Sequence, residues 1–387
     1  MWASNAGLSD RPKLAWCCGY TPEEIIEAAG FWPCRLLEAP YPRLGAGAFL
    51  PPDFCSYVAA LAEGVLAGAY AEMAGAVIAH SCHPMLHLFH LWQRHRPPSL
   101  LQLLEVPRQA GPAAVVFYAA NLRRLWQELN ARRGHAYSLD DLQEAIALYR
   151  ETRHLLARLY ALQRNDPPPL SGGQLAEVMA LAARSSKKLF NAWLKERLPF
   201  WEEAARLRRL VLGRPLPGTA AVTGNRTGPR ILLSGSILPP GLVAMLEECG
   251  ATVVADDLCC GARYLGACRE EEVAAADADP FTYLAALYLS RVPCPRMREA
   301  EDRWEHLVRM VGEYRTDGVV FYSLKFCDFH HYAFPRLRQR LQQSGIPVLR
   351  LETEYTPQMS GQWRTRVEAF LESLAGGSGC PAAGRGR

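Results

Sequence analysis

Short apolar runs rich in β-branched residues alternate with longer segments of helical periodicity through most of the chain. This alternation is typical of parallel sheets whose strands are joined by crossover helices. In the first part of the chain it predicts strands at 31–37, at 75–80 and near 101–106. It also predicts a helix from about residue 53 to 68 and another that begins near His83. The sequence therefore predicts an α/β fold.

The first helix is predicted to begin at Thr21, whose hydroxyl would cap it. Pro22 suits the first turn, and Glu24 stands three residues after the cap, which completes a capping box. Glu23 and Glu24 could instead be catalytic carboxylates, but the structural interpretation is favoured.

Residues 113–212 form an almost wholly helical stretch. The pattern is broken only at 132–138 and at the turn Asp166-Pro-Pro-Pro-Leu. This is too much helix for a simple crossover, so we interpret it as a helical elaboration of the first domain.

A second α/β unit follows a stretch rich in Gly, Pro and Thr at 215–229, which we interpret as a linker. Strands are predicted at 230–234, 252–255, 318–323 and 347–352, with helices near 240–248, 300–314, 334–343 and 362–374. Four parallel strands in this space favour a flavodoxin-like sheet. We therefore predict two Rossmann- or flavodoxin-like domains, at 12–214 and 230–375, and a disordered tail at 376–387.

Composition excludes several classes of function. A chain of 387 residues suits two domains, and 49% hydrophobic content suits a full core. The 43 basic and 39 acidic residues give a net charge of only +4. The densest basic segment, 206–214, reads as the polar face of one helix, so nucleic-acid binding has no support.

Neither a targeting signal nor a membrane span is predicted. Residues 1–13 mix polar and charged side chains without the apolar centre of a signal peptide. No apolar run reaches the roughly 18 residues of a membrane span. A cytoplasmic location is therefore expected.

Twelve cysteines require an explanation in such a chain. In a reducing compartment they are buried thiols, nucleophiles or metal ligands. No CxxC pair is present, so zinc ribbons and ferredoxin-type clusters have no local signature. Spacing alone does not distinguish these roles.

The positions of the cysteines on the predicted fold are more informative. Cys82, Cys327 and the pair 259–260 directly follow predicted strands, and ligands of open α/β sheets bind beyond the carboxyl ends of strands. Cys18 and Cys55 lie at predicted helix starts, where the helix dipole would lower a thiol pKa and favour the thiolate. The remaining single cysteines are expected to be ordinary buried or loop thiols: Cys34, Cys249, Cys268, Cys294 and Cys380. Packed thiols at every position remain the alternative.

Several motifs resemble, in the same order, those of the 2-hydroxyacyl-CoA dehydratase and benzoyl-CoA reductase family. They are CGYTPEEIIEAAGFWPCR from Cys18, CSYV from Cys55, VIAHSCHPM from Val77, VVADDLC from Val253, GVVFYSLKFCD from Gly318, GIPVLRLETEY from Gly345 and RTRVE from Arg364. The resemblance runs from about residue 12 to 375 and is weakest in the helical middle.

This resemblance implies a subunit that binds a [4Fe-4S] cluster or a double-cubane [8Fe-9S] cluster through cysteines. Carried over position by position, it assigns Cys55, Cys82 and Cys327 as iron ligands. Cys18 also matches a family cysteine, and with Cys259 it would be a further ligand of a larger cluster. Which cysteine of the pairs 17–18 and 259–260 would bind stays open.

The resemblance also implies a partner, an ATP-hydrolysing iron–sulfur activator that delivers one electron at low potential. In the dehydratases this electron makes a ketyl radical of an acyl-CoA, which then loses its β-hydroxyl; in the reductases it enters an aromatic ring. The chain itself lacks a GxxxxGK[ST] loop, so ATP hydrolysis is expected on the partner. A homodimer or a heterodimer with a homologous subunit is expected.

At one position the chain departs from the family pattern. His83 follows Cys82 where the family has Asp, and an imidazole there could move a proton or simply cap the next helix. Lys325, before Cys327, could face a CoA phosphate or be a solvated surface residue. His330 and His331 are donors near the cluster or polar loop residues. None is assigned a catalytic role.

Three functions remain in view. The chain is a catalytic subunit that acts on an acyl-CoA, with a double-cubane reductase of small molecules as the alternative. Otherwise it is a carrier that relays electrons to a partner with the substrate site, or an α/β protein without cofactor whose thiols are merely buried.

Overall fold

Two four-stranded parallel sheets form the framework of the protein. The structure is a computed structural model that describes residues 11–37, 46–133, 137–212, 228–239, 241–266, 279–356 and 361–376. The sheets and thirteen α-helices confirm the predicted α/β class with a helical elaboration. The predicted linker at 215–229 and tail at 376–387 lie almost wholly outside the described residues, so these and the domain boundaries stay predictions.

The first sheet is ordered β2-β1-β3-β4. Its strands are β1 (Lys13–Trp16), β2 (Trp32–Arg35), β3 (Gly75–His80) and β4 (Leu100–Glu105). The last three confirm the predicted strands. The sequence pattern does not predict β1, since four residues beside a polar segment give too short a run.

The second sheet repeats this order, as β6-β5-β7-β8. Its strands are β5 (Arg230–Gly235), β6 (Thr252–Asp257), β7 (Gly318–Leu324) and β8 (Val348–Thr353). All four were predicted, because a strand covered on both faces is apolar along its whole length. Every residue of β7 is buried.

The helices connect and cover the two sheets. In chain order they are α1 (Glu23–Ala28), α2 (Ser56–Ala67), α3 (His83–His95), α4 (Pro112–Arg133), α5 (Leu139–Leu162), α6 (Gly172–Arg184), α7 (Lys187–Leu212), α8 (Leu242–Glu248), α9 (Ala262–Leu265), α10 (Pro280–Leu289), α11 (Ala300–Glu313), α12 (Asp328–Gln343) and α13 (Gly361–Gly376). Capping boxes at Ser138 and Ser171 start α5 and α6, after the two predicted breaks. The short α9 and the α10 helix were not predicted, and α10 is apolar on nearly all sides, so it lacks helical periodicity.

The predicted capping box at the first helix is wrong. The residue before α1 is Pro22, no side chain caps the helix, and the Thr21 hydroxyl makes no hydrogen bond with the described residues. Glu23 and Glu24 are fully buried and bind distant residues instead. Tertiary contacts therefore replace the local cap.

The two buried carboxylates pair with cations and tyrosines from other elements. Lys187 donates to Glu23 at 3.1 Å, and Tyr264 donates to it at 2.6 Å. Arg153 and Tyr288 each donate to Glu24 at 2.7 Å. These contacts support the structural interpretation of the two glutamates.

The two sheets share one apolar core. Ile78 of β3 and Leu233 of β5 are both fully buried in it. The α10 helix, late in the chain, packs on α4 of the helical elaboration. No helix among the described residues is long and apolar enough to cross a membrane.

Candidate functional site

A cavity of about 150 Å³ lies where strand ends of the two sheets meet. Its lining includes seven cysteines: Cys17, Cys18, Cys55, Cys82, Cys259, Cys294 and Cys327. None of the ten described cysteines forms a disulfide. We call this space the cysteine cavity.

Three of these cysteines occupy the same local position, the residue that precedes a helix. Cys55 precedes α2, Cys82 precedes α3 and Cys327 precedes α12. Cys82 and Cys327 are also topologically equivalent, because each follows the third strand in chain order of its sheet. The structure therefore brings together the three cysteines that the family resemblance assigns as ligands.

Burial, rather than the helix dipole, governs the protonation of these thiols. It raises the pKa of Cys82 to about 12 and also raises the pKa values of Cys55 and Cys327. Backbone N–H groups at the helix starts act in the opposite direction but less strongly. The expectation of a lowered pKa at Cys55 is therefore wrong, because the thiol is removed from water.

Cys259 has the opposite character. The neighbouring thiol of Cys260 and the Arg35 guanidinium lower its pKa. Arg35 donates to the Cys259 carbonyl at 2.9 Å and lies 3.4 Å from its Sγ atom. This side chain comes from the first sheet, so the contact joins the two sheets at the cavity.

The structure separates the two members of the pair 259–260. Cys259 lines the cysteine cavity, whereas Cys260 lines a second, apolar cavity of about 320 Å³ between α6 and α8. Cys17 and Cys18 both line the cysteine cavity, directly after β1. That position is at a strand end, although the sequence places Cys18 only at a helix start.

Sequence reasoning missed Cys294. It was expected to be an ordinary loop thiol, yet it lines the cysteine cavity and hydrogen-bonds through its N–H to the Tyr20 hydroxyl at 3.2 Å. No strand or helix start marks it, so its sequence carries no signal. Cys34 and Cys249 do not line the cavity, as expected, and Cys268 and Cys380 lie outside the described residues.

The predicted polar neighbours divide into two groups. His83 and Lys325 are exposed and do not line the cavity; Lys325 lies 3.4 Å from the Glu354 carboxylate. His330 is buried and lines it, with Nδ1 3.3 Å from Sγ of Cys327. Burial lowers the His330 pKa to about 3, so the imidazole is neutral. His331 instead contacts the Leu324 carbonyl.

Two buried arginines complete the cavity wall. Arg263 bonds to Asp257 at 2.8 Å and to the Gly235 carbonyl at 2.8 Å. Arg291 lies 3.6 Å above the Tyr288 ring and donates to the Gly19 carbonyl at 3.1 Å. Thiols thus face cations across the cavity.

The donor set fits a multi-iron cluster better than a single ion. Among the described residues no three Cys, His, Asp or Glu side chains are placed to hold one metal ion. Thiolates are the soft ligands that iron–sulfur clusters use, and a cluster spans a wider site than one ion does. Seven cysteines around one cavity satisfy that requirement.

The fold and the cavity define a class of two-sheet α/β proteins whose strand ends enclose a group of cysteines. Residues 18–374 match the family model described as 2-hydroxyglutaryl-CoA dehydratase, D-component. The chain belongs to this family, as its motifs predicted.

Relatives extend over most of the chain. YjiM of Escherichia coli (strain K12), whose name gives it provisionally as a dehydratase subunit, is 31% identical over 76% of this chain and 72% of its own. The beta subunit of (R)-phenyllactyl-CoA dehydratase of Clostridium sporogenes is 24% identical, over 92% and 90%. One of the subunits of benzoyl-CoA reductase of Thauera aromatica is 23% identical, over 94% and 91%. The prediction of an enzyme of the 2-hydroxyacyl-CoA dehydratase type is thereby confirmed.

Proposed function

We propose that this chain is the iron–sulfur subunit of an ATP-activated reductive enzyme that acts on an acyl-CoA. The observation that carries the proposal is the cysteine cavity, in which Cys55, Cys82 and Cys327 from separate elements meet. Family membership supports the same conclusion, since the relatives named above are subunits of dehydratases and a reductase.

Cys55, Cys82 and Cys327 are the ligands we assign to a [4Fe-4S] cluster. Their raised pKa values mean that each thiol must release a proton when it binds iron, so cluster binding weakens in acid. Bound there, the cluster supplies single electrons at low potential for the reduction of an acyl-CoA thioester before it loses water.

The remaining residues provide the environment. Arg35 and Arg263 offset the negative charge that thiolates bring into a buried site. Neutral His330 orders Cys327 without adding charge. Tyr20 and Tyr264 fill the wall and limit the access of water.

The proposal includes two partners. The first is an ATP-hydrolysing iron–sulfur activator, because the chain has no phosphate-binding loop of its own. The second is a further subunit, either a copy of this chain or a homologous one. The names of the relatives, each of which describes one subunit of a larger enzyme, support a complex of this kind.

A second candidate is a double-cubane [8Fe-9S] reductase of small molecules. The observation that favours it is the lining itself, because Cys18, Cys259 and Cys294 add three thiols to the three assigned ligands. A carrier that relays electrons to a partner would use the same cluster without a substrate site.

The test is anaerobic purification followed by iron and sulfide analysis and electron paramagnetic resonance. About four irons per chain would support a single cubane, and about eight would support the double cubane. Absence of iron from strictly anaerobic protein would refute the cluster. Turnover of a panel of 2-hydroxyacyl-CoA thioesters with the activator then separates an enzyme from a carrier.

A further inference from the structure

Arg291 is a buried cation with two hydrogen-bond donors that the described chain does not use. Its side chain lines the cysteine cavity and is 6% exposed. Nη1 donates to the Gly19 carbonyl, but Nε and Nη2 are buried without a hydrogen-bond partner among the described residues. Burying unpaired N–H groups of a cation is costly, so a partner from outside the chain is expected.

The surrounding charges lead to the same expectation. Beside Arg291 lie the buried carboxylates Glu23 and Glu24, which are already bonded to Lys187 and Arg153. Arg291 acts on Glu24 through space, but forms no ion pair within the described part of the chain. Two buried anions thus face three buried cations, and Arg291 is the surplus cation.

The size of the cavity limits what the partner can be. A volume of about 150 Å³ equals the space of about five water molecules, at ~30 Å³ each. This space suits a compact inorganic group and leaves no room beside it for an acyl-CoA thioester. Arg291 therefore faces the group that the cysteines hold.

We propose that Arg291 donates Nε–H and Nη2–H to sulfur atoms of the cluster and thereby raises its reduction potential. This inference rests on the proposed function. Net charge and hydrogen bonds to sulfur are known determinants of cluster potential. A fixed positive charge with two donors stabilises the reduced state, which carries one more negative charge than the oxidised state.

The experiment is an anaerobic potentiometric titration of the cluster-loaded protein, followed by electron paramagnetic resonance. Arg291→Gln removes the charge, and Arg291→Lys keeps the charge but cannot present the same two donors. Arg298→Gln is the matched control, because Arg298 belongs to the same loop but is exposed and bonds to Gln109. We expect a more negative midpoint potential in Arg291→Gln, a smaller shift in Arg291→Lys and none in the control.

A second measurement covers the case in which Arg291→Gln does not load iron. Protein labelled with ¹⁵N in its arginine side chains should show ¹⁵N coupling to the reduced cluster, and Arg291→Lys should lose part of it. The remaining part would come from Arg35, which lies beside Cys259.

The outcomes separate the two proposals. Full iron content with an unchanged potential, or an unchanged ¹⁵N coupling in Arg291→Lys, overturns the role of Arg291 and leaves the cluster intact. Wild-type protein without iron overturns the proposed function, and the inference with it.

Discussion

Individual thiols in the cysteine cavity differ because their surroundings differ. Cys82, like Cys55 and Cys327, loses water without gaining a cation, so its pKa rises. Cys259 gains Arg35 and a neighbouring thiol, so its pKa falls. Position at a helix start, which the sequence displays, is therefore a weaker determinant of thiol chemistry than burial, which it does not.

Replacement of Cys327 tests the ligand assignment. Cys327→Ser should lose most of its iron when purified without oxygen, because a hydroxyl is a poor ligand for iron–sulfur clusters. Cys249→Ser is the control, since Cys249 ends α8 away from the cavity. Full iron content in Cys327→Ser would remove that residue from the ligand set.

Asp256 gives a prediction about pH. Burial raises its pKa from 3.8 to about 6, although Tyr160 donates to it at 2.6 Å. Between these values the native state binds the proton that the unfolded state releases, so this contribution is present below pH 4 and is lost by pH 6. Relative to Asp256→Asn, the wild type should lose about 3 kcal/mol over this range. Urea unfolding at several pH values measures it, and a constant difference would contradict the prediction.

Glu24 tests the buried charges. Glu24→Gln leaves Arg153 without its anion, and breaking a buried pair in this way should cost about 3 kcal/mol of unfolding free energy. The exposed pair of Arg158 and Glu202 offers a control, for which Glu202→Gln should cost less than about 1 kcal/mol. Similar unfolding midpoints for both variants would show that the buried pair does not stabilise the fold.

Among the elements, the turn after β6 is the one most tightly constrained. The Asp256 carboxylate accepts hydrogen bonds from the N–H groups of Leu258 and Ala262, and so encloses the segment that carries Cys259. A Cβ atom on Gly261 would lie 1.7 Å from Oδ1 of Asp256. This turn therefore requires glycine because of its neighbours.

The consequence is a prediction for Gly261→Ala. The added methyl group must displace Asp256, so the variant should lose about 2 kcal/mol of stability and bind less iron. Gly312→Ala in α11 is the control, because a Cβ there meets open space and should be neutral or slightly stabilising. Equal stability of the two variants would contradict the role of this turn.

Elements were predictable where the local pattern determines them. Seven of the eight strands follow from apolar runs, and the breaks before α5 and α6 follow from turn residues. The walls of the cavity were not predictable in this way. Cys294 meets Tyr20 across 274 positions, and Arg35 meets Cys259 across 224. Such contacts depend on how the sheets dock, which no periodicity records.

For the whole molecule, the cavity links stability to metal content. Cys82 follows a strand of one sheet and Cys327 follows a strand of the other, so a cluster held by both would bind only the folded arrangement. Ligands that bind the native state alone stabilise it by mass action.

Removal of the metal should therefore destabilise the protein. We expect the thermal midpoint of anaerobically purified protein to fall after treatment with a chelator and oxidant. Cys327→Ser should already have the lower midpoint and should not respond. Unchanged melting of the wild type after iron loss would show that the cluster does not hold the sheets together.

The shared strand order of the two sheets also has an evolutionary consequence. Two sheets of the same order, each with a cysteine after its third strand, are what duplication and fusion of a single-sheet ancestor produce. Such an ancestor would have paired with its own copy around a site on the twofold axis. Once fused, the halves were free to diverge, and Cys17 and Cys18 now follow β1 where Ser236 follows β5.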